Sequence, residues 1–198
     1  ASTYISIKLP PLFSTNSLTS FLDSSNGAIA AHIAIPLALL ILEANGLSEK
    51  DVKETAQMVR ELGSKAIEVV GDIREIGSES IGDACIDAFG SLDIWVNNVG
   101  GTDEKRNRTL LDTPDEIFSS QLDLNLTTAF QGAKAAANRM STGGCIINIS
   151  SGAGMRGSAF TGPYAAAKAG MLNMTETLAL ELAEKNIRVN AVSPGPVI

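Results

Sequence analysis

The chain has 198 residues, a formal net charge of −7 and a hydrophobic fraction of 44%. That length supports one sizeable core, so a single domain over residues 1–198 is expected. The acidic balance argues against binding to nucleic acid or an anionic membrane, and a single histidine without any Cys-x-x-Cys argues against a metal site.

The first 47 residues are atypical. Residues 28–42 form an apolar run broken by His32 and Pro36, too short for a membrane span and without a basic segment before it. The run reads as a helix ended by Pro36, then a strand over 37–42 that delivers Glu43 at its end. A membrane anchor is the minor alternative. From Ser48 onward, helix and strand patterns alternate, as a parallel sheet requires. Ser48 caps a helix over 48–62 that Gly63 stops, and residues 66–70 form a strand running into Gly71-Asp72. A helix over 78–89 leads to a strand over 92–96, which ends in Asn97-Asn98-Val99-Gly100.

Thr113-Pro114-Asp115-Glu116 has the pattern of a capping box with proline at the first helical position. It predicts a long helix to about Met140 that carries Asn125 in its apolar stretch. The apolar run 145–149 predicts a buried strand that delivers Ser150 and Ser151 at its carboxyl end. A helix containing Tyr164 and Lys168 runs to about Lys185, and a last strand, 187–192, ends in Ser193-Pro194-Gly195-Pro196-Val197. Cys85 and Cys145 sit in apolar contexts and read as buried free thiols, which suits a reducing, cytoplasmic setting.

The pattern with chemical content is Tyr164 and Lys168, four residues apart on a helix and so one turn apart on the same face. An ammonium held there favours the phenolate, and a phenol so placed can give or take a proton as a carbonyl becomes an alcohol. Ser151 emerges at the carboxyl edge of the sheet, where open α/β sheets bind their ligands.

With these residues in register, the chain resembles the short-chain dehydrogenase/reductase family from about residue 48 to 198. The family's Asn-Asn-Ala-Gly appears as Asn97-Asn98-Val99-Gly100, its serine, tyrosine and lysine fall on Ser151, Tyr164 and Lys168, and its active-site asparagine on Asn125. Its Pro-Gly turn falls on Pro194-Gly195. The resemblance implies a Rossmann-like, doubly wound parallel sheet in three α/β/α layers, incomplete at its C-terminal edge. It further implies an NAD(P)-dependent enzyme interconverting a small secondary alcohol and a ketone. In that reading Ser151 hydrogen-bonds the substrate oxygen and Tyr164 transfers the proton. Lys168 tunes the tyrosine and holds the nicotinamide ribose, and Asn125 positions a water that relays protons.

By the same resemblance Glu43, Asp72, Ile73, Asn98, Val99, Gly100, Tyr164, Lys168, Pro194, Gly195 and Val197 contact the cofactor. Glu43 would bind the adenosine ribose hydroxyls, and no lysine or arginine lies in residues 21–49 to meet a 2′-phosphate, so NAD is favoured over NADP. The two long helices build dimers and tetramers in relatives, which implies a homo-oligomer. Two departures support a second expectation. The family's Thr-Gly-x-x-x-Gly-x-Gly turn has Leu22, Asn26 and Ala28 in its glycine places, and the segment that covers the substrate pocket in relatives is missing after Ile198. Side chains at the glycine places crowd the turn or keep the backbone from a phosphate. The alternative is therefore a truncated, inactive relative that dimerises but binds dinucleotide poorly.

Overall fold

The computed structural model describes residues 4–5, 49–102, 108–141 and 143–195. Residues 22–28, the apolar run 28–42, Glu43, the Ser48 cap and Val197 lie outside the described residues.

The alternation expected from the sequence is present. Helix α1 spans Glu49–Glu61, the short α2 Ile73–Ile76 and α3 Ser78–Phe89, and strand β2 follows at Ile94–Asn97. Then come α4 (Asp115–Leu122), a π-turn (Asp123–Thr127), α5 (Thr128–Arg139), β3 (Gly144–Ile149), α6 (Gly162–Glu181) and β4 (Ile187–Val192). A two-residue strand, β1 (Tyr4–Ile5), completes a sheet of order β1-β2-β3-β4. Strands β2, β3 and β4 are parallel, with Trp95 opposite Ile146 and Ile146 opposite Val189. Strand β1, which the sequence did not signal, pairs antiparallel to β2.

The alternation of burial along the strands places the core. Trp95, Ile146 and Val189 share one face by register, and all three are buried. They join Ile81 and Cys85 of α3 and Ala133 and Ala136 of α5 in one apolar cluster. On the opposite face of β4, Arg188, Asn190 and Val192 are exposed, so among the described residues only one helix layer is complete. Both cysteines are buried free thiols, and burial pushes the Cys145 thiol up. No helix among the described residues is long and apolar enough to cross a membrane.

A buried amide network ties that helix layer to the sheet. The Trp95 indole N–H donates to Asn97 Oδ1 at 2.7 Å, and Asn97 Nδ2 donates to Asn148 Oδ1 at 2.8 Å and to the Ala129 carbonyl at 3.0 Å. Asn148 Nδ2 donates to Thr175 Oγ1 at 2.9 Å, and Thr175 donates on to the Met171 carbonyl at 2.7 Å. Satisfied amides in a core cost little and fix one register, whereas a half-satisfied set would be expensive. Gly132 makes room for the network, because a Cβ there would strike Asn97 Oδ1 and come within 2.8 Å of the indole nitrogen.

The structure departs from the expected elements in several places. Residues 66–70 join no ladder among the described residues, and the strand expected before them, 37–42, lies outside the described residues. Arg60 clamps the segment to α1 by donating to the Ala66 carbonyl at 2.9 Å and to Glu68 at 2.8 Å. The capping box at Thr113 does not form. Pro114, at φ −60° and ψ 145°, is the cap residue, and Thr113 Oγ1 donates back to the Thr109 carbonyl at 3.0 Å. The long helix is interrupted at Asp123–Thr127, and α6 ends at Glu181 with a separate 3-10 turn at Ala183–Lys185.

Candidate active site

The carboxyl ends of β2, β3 and β4 open onto one edge of the sheet, and the predicted residues gather there. β3 ends at Ile149, and Ser150 and Ser151 follow it. Ser150 Oγ, buried, donates to the Lys168 carbonyl at 2.9 Å and so fixes α6 to the end of the strand. Ser151 Oγ accepts the Ala153 N–H at 3.2 Å, capping the 3-10 turn Gly152–Gly154. Accepting that bond leaves its own proton to donate. The backbone then folds against α6. A Cβ on Gly154 would lie 2.7 Å from the Lys168 carbonyl carbon, so only glycine lets the turn come this close.

Helix α6 opens with Gly162-Pro163, which puts Tyr164 in its first turn and Lys168 one turn later. Lys168 is 3% exposed. Its Nζ donates to the Ile149 carbonyl at 2.8 Å and stands 5.8 Å from the centre of the Tyr164 ring, so the expected lysine–tyrosine pair is present. Burial lowers the Lys168 pKa to about 8, which still leaves the ammonium predominant at neutral pH.

Asn125 is fully buried at the π-turn. Its Oδ1 accepts the Gly101 N–H at 2.9 Å, and its Nδ2 donates to the Gly101 and Gln121 carbonyls, each at 3.0 Å. The side-chain amide therefore clamps the turn after β2, so a water-positioning part would fall to the Asn125 main chain or to the remaining lone pair of Oδ1. Gly100 is the meeting point. A Cβ there would lie 2.5 Å from Asn125 Oδ1 and 2.9 Å from Lys168 Nζ, so the bare Cα is what lets those two groups converge.

The residues expected around the cofactor divide into two groups. Asn98, half-buried, and Val99, 1% exposed, lie beside Gly100 on the turn after β2. The Pro194 carbonyl accepts the Gly152 N–H at 3.0 Å, which brings the end of β4 to the turn after Ser151, and Gly195 beside it is exposed. Farther off in the chain, Asp72 caps α2 through the Arg74 N–H at 2.9 Å and pairs with the Arg74 side chain. That hydrogen-bonded guanidinium holds the Asp72 carboxyl below its ordinary range. Ile73 is wholly buried in the apolar cluster, so its side chain is core and only its backbone can face a nucleotide. Glu43 and Val197 are not among the described residues.

Three further residues support the site. Gln121, 7% exposed and one turn before Asn125, receives an Asn125 Nδ2 hydrogen bond at its backbone and approaches it with Oε1 at 3.4 Å. Thr128 Oγ1 donates to the Leu124 carbonyl at 2.7 Å, because the π-turn gives the Thr128 N–H to Asp123 instead. Gly101 supplies both backbone groups that Asn125 holds. Thr128 four residues after Leu124 is the visible signal, since threonine commonly bonds the carbonyl at i−4.

A buried ammonium beside a tyrosine thus stands at the carboxyl edge of a parallel sheet, the edge where open α/β sheets bind their ligands. The family model described as "Enoyl-(Acyl carrier protein) reductase" matches residues 28–198. The chain belongs to the short-chain dehydrogenase/reductase family. It is 37% identical over 150 residues to glucose 1-dehydrogenase 2 of Bacillus subtilis (strain 168), covering 73% of this chain and 57% of that one. Among solved structures it is similar to carveol dehydrogenase from Mycobacterium avium in complex with NAD, with a TM-score of 0.69 and 34% identity. That match covers 74% of this chain and 54% of the other. It is likewise similar to NAD+-bound xylitol dehydrogenase, with a TM-score of 0.70 and 32% identity, covering 79% and 60%. The chain thus spans between half and two thirds of the length of these relatives.

Proposed function

We propose that this chain carries the catalytic centre of an NAD(P)-dependent oxidoreductase that interconverts a small secondary alcohol and a ketone. The observation that carries the reading is the buried Lys168 ammonium, held by the Ile149 carbonyl at 2.8 Å and set beside the Tyr164 ring. The donor set fits a nicotinamide ribose. One Lys168 N–H is taken by Ile149, leaving two for a pair of hydroxyls, and Gly100 puts no side chain in their way.

A bound nicotinamide supplies or accepts the hydride. Ser151 donates its hydroxyl proton to the substrate oxygen, orienting the carbonyl. Tyr164 gives its phenolic proton to that oxygen as it becomes an alcohol, and takes a proton back in the oxidative direction. The Lys168 ammonium stabilises the phenolate left behind, and its burial strengthens that interaction relative to water. Asn125 holds the Gly100-Gly101 turn against this centre.

The cofactor reading favours NAD, supported by Glu43 and by the absence of lysine and arginine from residues 21–49. Exposed Phe130 on α5 and Leu180 on α6 support pairing of copies through these helices. A second reading, a chain that keeps these side chains but binds dinucleotide poorly, is favoured by Leu22, Asn26 and Ala28 in the glycine places.

Titration with NADH and NADPH, followed by the rise in nicotinamide fluorescence, separates the two. The reductase reading expects micromolar binding of one cofactor, and the absence of binding up to millimolar concentration overturns it. Where turnover is found, Tyr164→Phe should lower it by about 10²-fold or more while cofactor affinity holds. Lys168→Ala should reduce both. Equal residual activity in the two variants would contradict the division of roles.

A further inference from the structure

Ten large apolar side chains are exposed among the described residues, and four of them, Leu110, Leu111, Met155 and Phe160, lie on two loops that flank the start of α6. Leu111 is 96% exposed and Met155 71%. The two loops touch: Leu110 Cδ1 lies 2.6 Å from where a Cβ on Gly162 would stand, two residues before Tyr164. Apolar exposure concentrated at one place on a protein surface marks a contact surface more often than scattered single residues do.

Phe160 supplies a second, independent observation. Its φ is 63°, in the left-handed region that a bulky side chain avoids, and the Thr161 hydroxyl donates to the Ser158 carbonyl at 3.1 Å to close the turn around it. Asparagine or glycine would hold this backbone without strain, and nothing buries the ring, which is 55% exposed. Folding therefore gains little from a phenylalanine here. Strain kept at an exposed ring four residues before the Tyr164 phenol points to a ligand that the ring contacts.

We infer that Phe160, with Leu110, Leu111 and Met155, forms an apolar subsite for the larger substituent of the substrate, so that the chain selects hydrophobic ketones and alcohols over polyols. The inference rests on the reductase reading for the position of the reacting carbonyl, at Tyr164. Arg156 is the only charged residue between Ser151 and Tyr164, and the Thr161 hydroxyl proton is already given to the Ser158 carbonyl.

The test is equilibrium dialysis of the full chain against cyclohexyl methyl ketone and against ribitol, which needs no turnover. The wild type should bind the ketone at least about tenfold more tightly, the range expected for covering one apolar group of this size. Phe160→Asn should remove most of that preference while the Tm stays level or rises, because asparagine relieves the turn. Leu111→Asn, at a position too exposed to threaten folding, should weaken ketone binding in the same direction. Equal binding of ketone and ribitol, or a preference that survives both substitutions, overturns the subsite. So does a Leu111→Asn variant whose sedimentation changes while its ketone affinity does not, for then a second copy of the chain covers the patch. Turnover with NADH is scored separately. Ketone binding without turnover removes the reductase reading and leaves the subsite standing, whereas turnover without preference does the reverse.

Discussion

Lys168 shows how burying one ammonium costs stability. Its ammonium is nearly sealed from water and donates to the Ile149 carbonyl, and burial brings its pKa from 10.5 to about 8. The unfolded chain therefore binds this proton more tightly than the folded chain does, and stability rises with pH between about 8 and about 10.5. Below pH 8 the full penalty applies, on the order of 3 kcal/mol for a shift of this size. Urea unfolding of the wild type and Lys168→Met across that window should show it: the wild type gains stability with pH relative to the variant. Parallel profiles would mean that the ammonium is not buried in solution. The i,i+4 spacing of Tyr164 and Lys168 was readable from the sequence because a helix turns it directly into proximity. The parts of Ser150 and Ser151 could be told apart only in three dimensions, since what separates them is which one faces the Lys168 carbonyl.

Among the elements, the interruption between α4 and α5 matters most to the site. A single π-turn inserts one residue into a helix, shifts the hydrogen-bond ladder, and frequently sits at a functional position. Here it carries Asn125 against Gly101, and Thr128 takes up the carbonyl that the shift leaves over. Thr128→Val keeps the shape and removes the donor, so the half-buried Leu124 carbonyl loses that partner at a cost of about 1 kcal/mol. Chemical unfolding should register that loss, whereas Thr128→Ser should restore most of it. Equal stability of all three chains would show that the π-turn does not need the hydroxyl. The apolar spacing of 115–139 predicts one continuous helix, because a π-turn leaves the pattern nearly unchanged and reveals itself only in the ladder. The capping box misled for a different reason. Thr113 and Glu116 have the right spacing, but the turn at Thr109 claims the Thr113 hydroxyl first. Residues 66–70 have a strand's composition, but a ladder also needs a neighbour, which the described residues do not supply.

Across the whole molecule, the parallel order of β2, β3 and β4 followed from alternating helix and strand patterns, and the bounds of β4 agree with the expected 187–192. The amide network beneath the site was not legible. The Trp95–Asn97 pair, Asn148 and Thr175 are far apart in the chain, and only the register that places Asn97 opposite Asn148 brings their side chains together. The same register explains why Gly132 must be small, a requirement invisible in a helix otherwise rich in alanine. Strands β2 and β3 and helices α5 and α6 are thus joined through one set of bonds, with the ends of the Asn125 and Lys168 elements held in common.

The chain has one tryptophan, and its indole N–H is the first donor of that network, 1% exposed. In deuterated water this proton gives a single resolved resonance, and its exchange for deuterium requires β2 to part from β3 and α5 together. Its rate should match the slowest backbone amides of β3, which would make one peak a clock for the opening of the entire sheet. Rapid loss of that peak would show instead that the strands breathe separately beneath the carboxyl edge of the sheet.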